Sequence, residues 1–239
     1  MQLTEDSFRA LARSSPWRFR TLHFTFRNEP DERSAVEAWL RRPGWLKVRR
    51  PDGTERTETG LPYTRSELRV FVPDGAEYTP PPQPEWVTPD RIVPPYREDG
   101  LVAQRPEWPE AHVSYDDPMY GSYDWVATLD PVELSRGVRL ADLREDVHHG
   151  RPVWRARVWP EGDYDPRCTC CALLASEAID REEWGEERWN PDGDWVYPDG
   201  SEVALDVETG IVVHAEQVGG SLPYAGFIDV EILEVDAEV

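Results

Sequence analysis

The chain has three cysteines, and all of them stand within four residues as Cys168-Thr169-Cys170-Cys171. Three chemistries are open to such a cluster. As thiolates, closely spaced cysteines suit a soft ion such as zinc or copper(I), with a fourth ligand drawn from His214, His148, His149 or Asp165. The spacing departs from structural zinc sites, which use two separated pairs, and the adjacent Cys170 and Cys171 can share one ion only on a special backbone turn. As a redox pair, Cys168 and Cys171 form a Cys-x-x-Cys spacing that could close a disulfide if Arg167 or a helix N-terminus lowered a thiol pKa. The third reading, and the outcome expected first, buries Cys170 or Cys171 as small apolar groups beneath Leu173 and Leu174. If metal is bound, the expected ligands are Cys168, Cys170, Cys171 and His214, and the expected ion is zinc.

Other reactive residues form weaker patterns. His148-His149 ends a predicted strand before Gly150 and is expected to be solvated, and the five histidines are too scattered in sequence to suggest a cluster. Arg41, Arg42, Lys47, Arg49 and Arg50, interleaved with Trp39 and Trp45, have the makings of a phosphate or single-strand nucleic-acid platform. Their expected role is plainer: to alternate outward from a sheet and pair with acids of the C-terminal part. No nucleophile elbow, phosphate-binding glycine loop or dinucleotide fingerprint is present. A non-enzymatic function follows as the expectation.

The cysteine segment must be held by its neighbours. Val153 to Trp159 reads as a strand before it, with Trp154, Ala156 and Val158 on one face, and an acidic helical stretch around Leu173 to Trp184 follows. Upstream, Leu129-Asp130-Pro131-Val132-Glu133-Leu134 has the form of a capped helix start, with Gly137 as its stop, and Val138 to Val147 reads as a strand. Near the N-terminus, Thr4 caps a predicted helix over 5–13, with Glu5 and Asp6 in its first turn and a Leu3 to Phe8 staple. Strands are predicted at 17–27, 36–41, 46–50, 54–59, 201–207, 211–217 and 226–235. Pro-Asp-Gly at 51, 73, 191 and 198 supplies turns between them. Residues 73 to 109 hold ten prolines and exclude regular helix or central strand. They read as an extended insertion whose Trp86, Tyr96 and Trp108 pack across one domain spanning 1–239.

Composition sets the outer limits. Eleven tryptophans, nine tyrosines and six phenylalanines in 239 residues allow a real core. The net charge of −21 is uneven: residues 1 to 70 carry 14 basic and 10 acidic groups, and the remainder 12 and 37. That balance disfavours nucleic acid and leaves a basic protein or an apolar small ligand as the expected partner. No run approaches the roughly 20 apolar residues of a membrane span, and no basic-then-apolar leader opens the sequence, so a cytoplasmic location is expected.

Two patches carry a family resemblance. Trp39-Leu40-Arg41-Arg42-Pro43-Gly44-Trp45-Leu46-Lys47-Val48 is similar to the arginine-proline-glycine hairpin of bacterial lipoprotein carriers, the LolA-like fold. Ala204-Leu205-Asp206-Val207-Glu208-Thr209-Gly210-Ile211-Val212-Val213 resembles that fold's late hairpin, with Phe227 to Val235 as closing strand. The resemblance implies a mainly β (α+β) protein: a curved antiparallel sheet, an incomplete barrel, with a few short helices over an apolar cavity. The function it implies is a binding or protein-interaction module holding an apolar or lipid-like ligand. The alternative is a metal-binding or thiol-redox protein working through Cys-Thr-Cys-Cys. The strap and the cysteines lie outside the carriers' pattern.

Overall fold

The computed structural model describes residues 1–60, 86–106, 112–190, 192–222 and 226–238. Among these the fold is mainly β: a curved, nine-stranded antiparallel sheet that does not close, with a few short helices on one face. Its order is β4-β3-β2-β1-β9-β8-β7-β6-β5. The strands are β1 (Thr21–Arg27), β2 (Val36–Arg41), β3 (Trp45–Arg49), β4 (Glu55–Thr59), β5 (Val138–His148), β6 (Arg151–Pro160), β7 (Ser201–Asp206), β8 (Val212–Gln217) and β9 (Phe227–Val235). The chain builds outward from β1 to one edge, crosses to the other edge, and walks back by hairpins until β9 lies beside β1.

Alternation fixes which face each strand buries. In β1, Leu22, Phe24 and Phe26 point to the core, while His23, Thr25 and Arg27 point away. The covering helix α1 (Glu5–Ser14) begins at a reciprocal cap: Ser7 donates its N–H to Thr4 Oγ1 at 3.1 Å, and Thr4 donates its N–H to Ser7 Oγ at 2.8 Å. Phe8 and Leu11 from this helix are fully buried. A second helix, α2 (Asp124–Leu129), sets Trp125 against Phe24 and Phe26, with ring centroids 5.2 and 4.9 Å apart. Leu129 and Leu134 complete a contiguous cluster.

Two local expectations change. The helix expected from Leu129 to Gly137 is a single 3₁₀ turn, Val132–Ser135. Asp130 cannot cap it because arginines hold its buried carboxylate, and Gly137, at φ +67°, turns the chain directly into β5. The true helix, α2, comes earlier, hidden in a Trp-Val-Ala-Thr-Leu run without amphipathic spacing. The helix around Leu173 to Trp184 shortens to α3 (Glu177–Trp184).

The described part of the proline-rich segment lies along the end of α1. Trp17 Nε1 donates to the carbonyls of Pro89 and Ile92 at 2.9 and 3.1 Å, and Val102 donates its N–H to Ser14 Oγ at 2.8 Å. Its anchors are the buried Leu101 and Val102, whereas Trp86 and Tyr96 remain exposed. Residues 73–85 and Trp108 lie outside the described residues. The Arg-Pro-Gly hairpin also points inward at its first residue: Arg42 grips Asp117 through two nitrogens, at 2.7 and 3.0 Å, and lies 3.9 Å from the centre of the Phe19 ring.

Candidate metal centre

Cys168, Cys170 and Cys171 lie on a loop between β6 and α3, and a 3₁₀ turn over Thr169–Cys171 folds them together. Cys171 donates its N–H to the Cys168 carbonyl at 3.3 Å, closing the turn. The Cys168 and Cys170 sulfurs are 3.0 Å apart, and those of Cys170 and Cys171 are 3.5 Å apart. The burial expected first does not occur: Leu173 and Leu174 are buried, but Cys170 is exposed and its two partners only half-buried. The chain after the turn buries the leucines, while Cys170 and Cys171 line a pocket of about 270 Å³ together with Asn28, Asp124, Ser176 and Trp184.

One buried carboxyl holds both ends of this loop. Glu133 accepts the N–H of Arg167 at 3.2 Å on one oxygen and that of Leu173 at 3.0 Å on the other, so residues 168–172 hang between two fixed points. Tyr164 supports the same corner, its hydroxyl accepting the N–H of Leu174 at 3.2 Å. Arg167, just before the first cysteine, pairs with Asp130 and Asp116, and Asp130 also binds Arg105. Burial pushes the Glu133 pKa up to about 7, against the backbone N–H groups that favour its charged form. For Asp130 burial acts in the same direction, but Arg105 and Arg167 outweigh it and its pKa falls below the usual carboxylate range.

The sulfurs perturb one another. Hydrogen bonding with Cys168, then partial burial and the contact with Cys171, raise the Cys170 pKa to about 12. Burial raises Cys171 as well. Near neutral pH Cys170 and Cys171 are therefore protonated and slow as nucleophiles, and a metal ion bound there would displace their protons.

The expected fourth ligand stands elsewhere. The donor atoms of His214, His148 and Asp229 lie within 4.8 Å of one another on the sheet face opposite the helices, and Asp165 faces Arg136 at 3.2 Å. Three of the five histidines thus do meet, because His149 Nε2 also lies 3.2 Å from Asp229 Oδ1. Sequence reading missed Asp229 and Glu133 entirely. Glu133 does carry a signal, as the third residue after Asp130 and the second after Pro131, but that pattern reads as a helix cap. The basic patch finds its partners locally: Lys47 and Arg49 pair with Glu55 at 2.9 and 3.0 Å, Arg49 also with Glu37 at 2.9 Å, and Arg50 donates to Tyr120 at 2.7 Å. Neighbouring strands supply these acids, not the C-terminal part, because opposed residues on adjacent strands are closest.

No family profile and no curated protein matches the chain. Among solved structures, MucB is similar at 15% identity and a TM-score of 0.30, over 98% of this chain and 61% of that one. MucB in complex with MucA(peri) gives 13% identity and a TM-score of 0.30, over 97% and 55%. The MucA/MucB complex of Pseudomonas aeruginosa gives 14% and 0.31, over 97% and 56%. The chain therefore spans about three-fifths or less of the length of these structures. The likeness extends to a weak similarity of fold.

Proposed function

We propose that the chain is a one-domain, non-enzymatic binding module whose ligand is a single soft metal ion, zinc or copper(I), held by Cys168, Cys170 and Cys171. The observation that carries this reading is the pair of sulfur separations, 3.0 and 3.5 Å. Sulfurs bound tetrahedrally at about 2.3 Å from zinc stand about 3.8 Å apart, within about 1 Å of these separations. Three protein ligands leave a fourth position open to water, to a group from a partner, or to Asp124 across the same pocket. Free thiols of this kind suit a reducing cytoplasm.

Two observations weigh against the rival uses of the fold. The helix-covered sheet face holds Phe8, Leu11, Phe24, Trp125 and Leu134 fully buried, which leaves the apolar-ligand reading little room there. The raised pKa of Cys171 disfavours it as the attacking thiol of a Cys168–Cys171 redox pair. No helix among the described residues is long and apolar enough to cross a membrane.

Elemental analysis combined with thiol titration of untagged protein tests the proposal. One zinc or copper is expected at the thiols, masking them until a chelator is added, and Cys168→Ser/Cys170→Ser/Cys171→Ser should lower the bound metal by one equivalent per chain. Three freely titrating thiols that take up neither ion would overturn it, and a readily cycled Cys168 to Cys171 disulfide would replace it with the redox reading.

A further inference from the structure

We propose that His148, His214 and Asp229 form a second site, separate from the cysteines, for one divalent transition-metal ion of the borderline class, Zn2+, Cu2+ or Ni2+. Their donor atoms lie within 4.8 Å of one another although the residues come from the end of β5, from β8 and from β9. In the sheet, Asp229 stands between Arg27 on one side and His214 on the other as directly opposed residues. His148 arrives from much further off. Strands β5 and β9 are four places apart, which in a flat sheet is about 19 Å. The sheet's curvature and a bulge between Ala141 and Arg144, with Asp142 at φ +53°, accompany the return of the β5–β6 hairpin tip to this face.

The closest pair is arranged like two ligands of one ion. His148 Nε2 lies 3.0 Å from Asp229 Oδ1, yet this buried nitrogen makes no aligned hydrogen bond. Two ligands held tetrahedrally at about 2.0–2.1 Å from zinc are about 3.3 Å apart. The 3.0 Å between His148 Nε2 and Asp229 Oδ1 is close to that ligand-to-ligand spacing. Arg27 supplies outer-shell support, its Nε donating to Asp229 Oδ2 at 2.9 Å and leaving Oδ1 to face the imidazoles. His149, in the two-residue turn at φ +45°, puts a further imidazole 3.2 Å from the same oxygen.

The donor set chooses the metal class. Imidazoles with one carboxylate suit zinc, copper(II) and nickel, whereas magnesium and calcium want oxygen and copper(I) wants sulfur. The surrounding charge limits affinity. Arg27 and Arg155 oppose a dication, although Arg155 is engaged by Asp146 at 2.9 Å and Glu216 stands 3.8 Å from His214.

Isothermal titration with Zn2+ of the untagged chain carrying Cys168→Ser, Cys170→Ser and Cys171→Ser tests this site alone. One equivalent should bind, and adding His148→Ala or His214→Ala should weaken it at least about tenfold. Melting curves of the metal-free variants separate loss of binding from loss of fold. In the unmodified chain, Zn2+ should also shift the ring-nitrogen resonances of His148 and His214 but not of His23. Absence of zinc uptake by the triple-serine chain, or uptake that survives both histidine substitutions, would overturn the proposal. Failure of the cysteine site shows differently: the unmodified and triple-serine chains would then bind the same single equivalent.

Discussion

Glu133 joins the core to the thiol loop, and its titration should be visible in the stability of the whole protein. Its folded pKa of about 7 lies above the ordinary 4.5, so between these values the folded state holds a proton that the unfolded chain has released. Stability must then fall as pH rises through that window, by up to about 3 kcal/mol at 1.36 kcal/mol per pH unit. Urea unfolding at pH 5 and pH 7.5 measures this, and Glu133→Gln should flatten the slope while costing about 1–3 kcal/mol, because one of the two loop N–H groups loses its acceptor. Parallel slopes in the two proteins would remove Glu133 as the cause. Arg167→Met should cost about 1–3 kcal/mol, because it removes one of the two arginines that hold the unexposed Asp130 and leaves Arg105 as the other, with a shift in urea midpoint as the measure. Neither role was legible in the sequence. A carboxylate's burial depends on what packs over it, and here that includes Tyr164 and the backbone of residues 167–174, far along the chain.

At the scale of elements, short-range chemistry carried most of the information. The Thr4 cap, the alternation in β1 and the hairpins around Gly44, Gly53 and Gly210 depend on residues a few positions apart, and those elements stand within a residue or two of where pattern places them, except that β1 begins at Thr21 and not at Trp17. Between Asp124 and Gly137 pattern and structure part, because the decisive contacts there are long-range. Gly137 shows how narrow that junction is. At φ +67°, a Cβ there would come within 2.5 Å of the Asp163 carbonyl and of Tyr164 Cα. Gly53, at φ +84°, has nothing within 4 Å of the same atom. Gly53→Ala should therefore cost only the backbone term, about 1–3 kcal/mol. Gly137→Ala should cost clearly more, displacing the segment from 163 that leads into the cysteines. Thermal melts of both variants compare them directly, and equal losses would mean that the chain around Tyr164 yields without strain.

At the scale of the molecule, the cysteines could be found in the sequence but the histidine cluster could not, because it depends on the tip of the β5–β6 hairpin, at one edge of the sheet, coming back over β8 and β9. The curvature bears on whether this sheet encloses a ligand space, as its resemblance to lipid carriers implied, or a solid core. Trp125 is the discriminating residue. It is 1% exposed, spans from α2 to Phe24 and Phe26 on β1, and occupies the centre of the covered face. In a solid core, Trp125→Ala removes both transfer energy and packing, and should lower stability by about 3–5 kcal/mol. If the face were instead a cavity shaped for acyl chains, its lining could collapse or refill and the loss would be nearer 1 kcal/mol. Guanidinium unfolding decides between them, provided that the denaturant slope is unchanged so that the midpoint reports stability alone. Native mass spectrometry gives the complementary result: a filled face should carry no co-purified lipid. A small loss together with a lipid adduct would return the protein to the carrier reading and leave the proposed metal sites secondary to it.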